Sequence, residues 1–182
     1  MRLDEIRRAI GGAIDLLKDD PRGMDAFDLS LPGFVRSFVA VLLVLPVYAL
    51  VLVVQDRQLG PGVEATPVTV RLVGYLLQWG AFVCTAVVLA KVLRREAYFV
   101  AYVIAANWAS VVQIVIVLVV VLLTTLVPPV LTGLALVLMV VGLLVYDYRV
   151  VRIAFAAPGF DGMAVVAIQF MVTLLVQRLV AT

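Results

Sequence analysis

Long apolar runs alternate with short polar connectors along this chain, and the alternation predicts its elements. Five runs stand out, at residues 34–54, 70–93, 98–126, 130–146 and 162–180. At 1.5 Å per residue each is about long enough to cross a hydrocarbon core of roughly 30 Å. Within a run the apolar residues are continuous, as in the Val-, Ile- and Leu-rich stretch 111–123. That pattern argues for helices over the short alternating strands of a membrane barrel. A helix also satisfies every backbone polar group inside its own segment, as lipid requires. The expected fold is all-α, a polytopic transmembrane helical bundle of five spans over residues 34–182. The third run has 29 residues against the roughly 20 that a span needs. It therefore tilts or projects its first turns beyond the bilayer.

Residues 1–33 read differently, as a cytoplasmic helix and connector. Leu3, Ile6, Ile10, Ala13 and Leu17 recur every three or four positions, with Arg2, Asp4, Glu5, Arg7, Arg8, Asp15 and Lys18 on the other faces. This predicts an amphipathic helix over 3–18, lying in the interface with its apolar face down or, alternatively, packed against the protein's own cytoplasmic loops. Gly11 and Gly12 weaken its middle by about 1 kcal/mol each, and Pro21 stops it. The connector carries Asp19, Asp20, Asp25 and Asp28. Their spacing does not match the alternating ligands of a calcium loop, so a solvated loop is expected. Ser30 stands where it can cap a helix beginning at Leu31-Pro32.

Composition narrows the class. Apolar residues make up 65% of the chain and the mean hydropathy is +1.18, against about 45–50% apolar residues in soluble domains. Histidine is absent and Cys84 is the single cysteine. An intrachain disulfide, a thiolate or His-ligated metal site and a His-bound haem are thereby excluded, and no cofactor is expected. Cys84 reads as a small hydrophobe within the second run. The net charge of +2 gives no reason to expect a nucleic acid partner.

Charge also sets orientation. Arg2, Arg7, Arg8, Lys18, Arg22, Arg36, Lys91, Arg94, Arg95, Arg149 and Arg152 fall on one side of a five-span layout, and Arg57, Arg71 and Arg178 on the other. By the positive-inside rule the N-terminus is cytoplasmic, and five spans place the C-terminus outside; the expected setting is a bacterial inner membrane, with that side periplasmic.

No Asp, Glu, Lys or Arg falls in the middle of any run as delimited above. That argues against an ion-coupled transporter or a charged selectivity ring. Neutral polar residues do form a seam. Asn107, Ser110 and Gln113 share about a third of the third helix's circumference. Gln169, Thr173 and Gln177 lie on one stripe of the fifth at i, i+4, i+8, and Gln78 and Thr85 on one face of the second. Such a seam either hydrogen-bonds helices together or binds a solute or lipid head group, with Asn107, Gln113, Gln169 and Thr173 as the candidate residues. Arg149 and Arg152, three apart after Tyr146-Asp147-Tyr148, are candidate contacts for anionic lipid; a carboxylate such as Asp147, Glu96 or one from the N-terminal segment is the alternative partner. Ala101, Ala105 and Ala109, Ala86 and Ala90, and Gly80 and Cys84 form small-residue ladders that allow close helix approach, within the bundle or between copies. No phosphate loop, nucleophile elbow or paired-carboxylate site is present, so no enzyme is expected.

The five-span layout resembles the Yip family (Ypt-interacting-protein domain). The resemblance is strongest where residues 136–151 are followed by Arg152-Ile-Ala-Phe-Ala and residues 162–176. The start, Asp-Pro-Arg-Gly-Met-Asp-Ala-Phe-Asp before Gly-Phe-x-x-Ser-Phe, is similar to small uncharacterised membrane proteins of alphaproteobacteria. Either resemblance implies a non-enzymatic membrane protein. The leading expectation is a protein that organises or assists partner proteins or lipids, acting alone, as a homo-oligomer or with other membrane proteins. The alternative is a small-solute transporter or channel component acting as an oligomer. A water-filled cavity lined by the four seam residues favours the alternative; a dry, fully paired seam favours a structural role.

Overall fold

Each apolar run becomes a helix, and local signals set where it starts and stops. The computed structural model describes residues 2–60 and 62–181. These hold α1 (Leu3–Leu17), α2 (Leu31–Ser37), α3 (Val39–Asp56), α4 (Val68–Val92), α5 (Phe99–Thr124), α6 (Pro129–Ala154) and α7 (Gly159–Ala181), and no strand. The Ser30 hydroxyl accepts the Gly33 N–H at 3.2 Å and caps α2. A bend at Phe38 separates α2 from α3, and the two form one span, Leu31–Asp56. The other spans are Val68–Val92, Glu96–Thr124, Pro129–Ala154 and Gly159–Val180. The protein is therefore an all-α chain with five helices long and apolar enough to cross a membrane. One boundary needs correction: α6 does not end at 146 but continues through Asp147 to Ala154.

α5 packs along α3 on one flank and α6 on the other, and α4 packs along α7. α6 and α7 join the two groups, while α4 makes limited contact with α3 and α5. The packing is also uneven along the spans. A large core lies at the α1 end, where Ala86, Ala90, Ala105, Ala109, Trp108, Tyr146 and Phe155 are buried together. Toward the opposite end only Val44, Val51, Ile114 and Val121 form a small cluster. The alanine ladders thus lie in helix contacts. Gly80 and Cys84 are exposed instead, and among the described residues nothing lies within 4 Å of a Cβ on Gly80.

The α1 helix completes the large core. Its apolar stripe is formed as expected, but protein covers it. Ala9, Ala13 and Leu16 are buried against α5, α6 and the 3-10 turn Pro21–Ala26. The Tyr146 hydroxyl donates to the Ala13 carbonyl at 2.6 Å, and Arg149 donates to the Leu17 carbonyl. Arg36 bridges Glu5 at 2.9 Å and Asp28, pinning α1 to the start of the first span. Gly12 permits the close approach: a Cβ there would lie 2.5 Å from the Gly23 oxygen and 2.6 Å from the Ala26 Cβ.

Gly11→Ala and Gly12→Ala should therefore have opposite effects. Nothing lies within 4 Å of a Cβ on Gly11, so alanine should stabilise by up to about 1 kcal/mol through helix propensity. At Gly12 the overpacking should destabilise by about 1–3 kcal/mol. Thermal unfolding of the two variants in the same detergent checks this.

The Arg36 bridge should weaken in acid. The Ser30 hydroxyl and backbone N–H, together with Arg36, hold the Asp28 carboxyl below its ordinary value of 3.8. A folded value below the unfolded one gives stability that is present above pH 3.8 and lost as the pH falls through the folded value. Protease cleavage of the 19–30 connector should rise below about pH 4, and Asp28→Asn should blunt the rise while raising cleavage at neutral pH.

Candidate functional site

The uneven packing leaves room. Between the α3–α5–α6 group and the α4–α7 pair lies a cavity of about 740 Å³. Its lining on α7 runs from Val166 to Val180, about 21 Å of helix axis, or some two-thirds of a hydrocarbon core. α4 and α7 come together at the far end, where a Cβ on Gly74 would lie 2.8 Å from Val180. At the α1 end the cavity stops on buried side chains, Tyr102, Val150 and Val151.

All four seam candidates line this space: Asn107 and Gln113 from α5, Gln169 and Thr173 from α7. Ser110, Gln78 and Gln177 join them, and Thr85 does not. The seam is partly paired. The Gln78 amide donates to the Thr173 hydroxyl at 3.2 Å and the Gln169 amide to the Phe82 carbonyl at 3.4 Å. Asn107 is fully buried; its Nδ2 donates to the Ser37 hydroxyl at 2.8 Å, and its Oδ1 has no hydrogen-bond partner among the described residues. Ser37 in turn donates to the Phe34 carbonyl at 2.7 Å. The bend at Phe38 and the polar wall of the cavity therefore meet at one side chain.

Asp147 is a cavity residue that sequence reasoning offered only as a candidate partner for Arg149 and Arg152. The expectation that no charged group stands in the middle of a run rested, for the fourth run, on ending it at 146. α6 continues, and it presents the Asp147 carboxylate to the cavity. Gln113 Nε2 donates to its Oδ1 at 2.6 Å. Helical side chains lean toward their own N-terminus, so Gln113 and Asp147, on antiparallel helices, converge from different levels.

Aromatic rings make up a second wall. Tyr48 and Tyr75 stack at 5.1 Å, and Tyr75–Trp79, Trp79–Phe82 and Phe82–Tyr102 follow at 6.2, 6.4 and 5.7 Å. All five line the cavity, and Tyr102 stacks on Phe155 below it at 4.8 Å. The signal was present in the sequence, since Tyr75, Trp79 and Phe82 recur at i, i+4, i+7 on α4. Toward the far end the lining includes Arg71, which pairs with Asp56 at 2.5 Å.

Arg149 and Arg152 lie elsewhere. Arg149 is bonded to the Leu17 carbonyl and Arg152 to Asp19, so both hold the end of α1. Of the partners expected for them, the N-terminal carboxylate is the one Arg152 has. Among the described residues no three His, Cys, Asp or Glu side chains group closely enough to hold a metal ion. No family model, curated protein or solved structure matches the chain. The resemblances therefore identify no family, and the five-span layout is what they and the structure have in common.

Asn107 and Ser37 should be energetically coupled. In a double-mutant cycle of Asn107→Ala and Ser37→Ala, the interaction should be about 0.6 kcal/mol, the usual size for hydrogen bonds between membrane helices. Reversible denaturation in mixed micelles measures it; strictly additive effects would show that the bond contributes nothing.

Proposed function

We propose that this chain binds a small solute within its helical bundle and passes it across the membrane, without catalysing a reaction. The observation that carries this reading is the cavity lined by Asn107, Gln113, Gln169 and Thr173. The cavity is of the size of ligand pockets, about 300–1,000 Å³, and shares their make-up of mostly apolar walls with a few convergent polar groups. An intramembrane carboxylate adds to the case, because ionisable groups at that depth are costly and mark pathways. The cavity lies within one chain, so the reading needs no oligomer. The distribution of positive residues supports an N-terminus in the cytoplasm of a bacterial inner membrane. The solute then enters from the periplasmic end, near Arg71 and Gln177, and the aromatic floor at Tyr102 must part for it to leave. An organising role is the second reading. What favours it is the exposed Gly80–Cys84 stripe, which suits close approach by another membrane helix.

Cysteine accessibility tests the first reading. In a Cys84→Ser background, single cysteines at Gln177, Thr173 and Gln169 should react with a charged, membrane-impermeant thiol reagent, in that order of rate. A cysteine at lipid-facing Val137, 60% exposed, should stay inert. Labelling from both faces of the membrane supports passage. Cavity positions as inert as Val137 would sink the reading.

A further inference from the structure

We propose that the cavity is built for a lipophilic organic monocation, such as a quaternary ammonium or phosphonium ion bearing aromatic groups. This inference rests on the solute-binding reading and names its substrate class. Charge carries the first step. Two charged side chains line the cavity, Arg71 and Asp147. The Arg71 guanidinium is matched by Asp56. Asp147 has no cationic partner among the described residues; Arg149 and Arg152, its neighbours in sequence, project from other faces of α6 and are bonded to Leu17 and Asp19. Its recorded hydrogen bond is the neutral Gln113 amide, and the titratable groups that face it are the tyrosines Tyr102 and Tyr146. The deep end therefore offers one carboxylate without a counter-charge. An anion finds no unpaired cation there, and a divalent metal ion, which takes six or more oxygen ligands, finds a single carboxylate.

The walls carry the second step. The rings of Tyr48, Tyr75, Trp79, Phe82 and Tyr102 follow one another along the cavity. Aromatic faces attract cations through the ring quadrupole, most strongly where water is excluded. The rest of the lining is largely Val and Leu, which suits a cation that carries its own apolar surface and sheds little hydration. Carboxylate and rings together select positive charge and greasy bulk at once.

The test uses full-length protein in lipid nanodiscs and two ions of the same shape and opposite charge, tetraphenylphosphonium and tetraphenylborate. Benzyltrimethylammonium runs in parallel so that bulk alone does not decide the result. Equilibrium dialysis, with empty nanodiscs subtracted, should show saturable binding of at least one of the two cations and none of the borate. Asp147→Asn keeps the acceptor that Gln113 uses and should weaken cation binding at least about tenfold, the equivalent of 1.4 kcal/mol. Trp79→Leu should weaken it about twofold to thirtyfold, the range that cation–π contacts span. Melting temperatures establish that both variants fold; if Asp147→Asn does not, Asp147→Glu takes its place and should retain binding. Borate binding that matches the phosphonium, or cation binding that survives Asp147→Asn, would overturn the proposal. Reactive cavity cysteines without cation binding would overturn this inference and leave the solute-binding reading standing. Inert cysteines would remove both.

Discussion

Lipid gives helices no hydrophobic reason to associate, so close packing and hydrogen bonds must hold a membrane bundle together. In this chain both are concentrated at one end. The buried alanines of α4 and α5, the Tyr146 hydroxyl on the Ala13 carbonyl and the Arg36 bridge to Glu5 and Asp28 all lie near α1. α1 acts as a clasp there, joining spans that are far apart in sequence. Because that end carries the association, the other end does not have to. α4 and α7 can stand away from α3, α5 and α6, and the cavity is the space that results. The same constraint accounts for the glycines. Gly12 lets the 3-10 turn sit against α1, and Gly74 lets α4 meet α7 at the far end of the cavity.

What the sequence made legible follows the length scale of each signal. A span is about twenty apolar residues in a row, and no tertiary detail can hide that, so the five helices and their order were readable. The neutral seam was readable as well, since the spacing of Gln169, Thr173 and Gln177 fixes one stripe whatever that stripe faces. As a cavity residue Asp147 was lost to a boundary rule. A run was ended at its first charged residue, yet a helix continues through a charge when a cavity and an amide receive it. The apolar stripe of α1 was plain from its periodicity, but its covering was not. A stripe that fits the bilayer interface fits a protein groove equally well, and the contacts that decide between them join residues as far apart as Glu5 and Arg36, or Ala13 and Tyr146. The pairing of α4 with α7 was illegible for the same reason. Apolar helices in lipid look alike from outside, and few residues in either sequence name a neighbour.

The seam shows how structure and binding can share residues. A fully paired set of amides would lock the helices together and leave nothing for a ligand. Here the pairing is incomplete in a graded way. Asn107 is tied to Ser37 by one group and has an oxygen unpartnered among the described residues. Gln113 is tied to Asp147, whose carboxylate has further acceptor capacity. Gln78 and Thr173 hold each other across the α4–α7 contact. The structural bonds lie between neighbouring helices; the Asn107 oxygen is buried among them, and the Asp147 carboxylate lines the space they enclose.

Asp147 brings these strands together energetically. A carboxylate taken out of water loses hydration worth several kcal/mol even after relaxation, and one amide hydrogen bond does not return it. Within the spans Asp56 is paired with Arg71, whereas the arginines two and five positions further along α6 project from other faces of the helix than Asp147 does. Both are instead bonded to the end of α1. From those faces they hold the clasp on which the bundle depends and leave Asp147 unmatched. The carboxylate is therefore left as an unsatisfied demand for positive charge at the bottom of an aromatic-walled cavity. The free energy that would otherwise count against the fold is returned when a proton or a cation arrives, which makes the cost of placing Asp147 there the source of the cavity's selectivity.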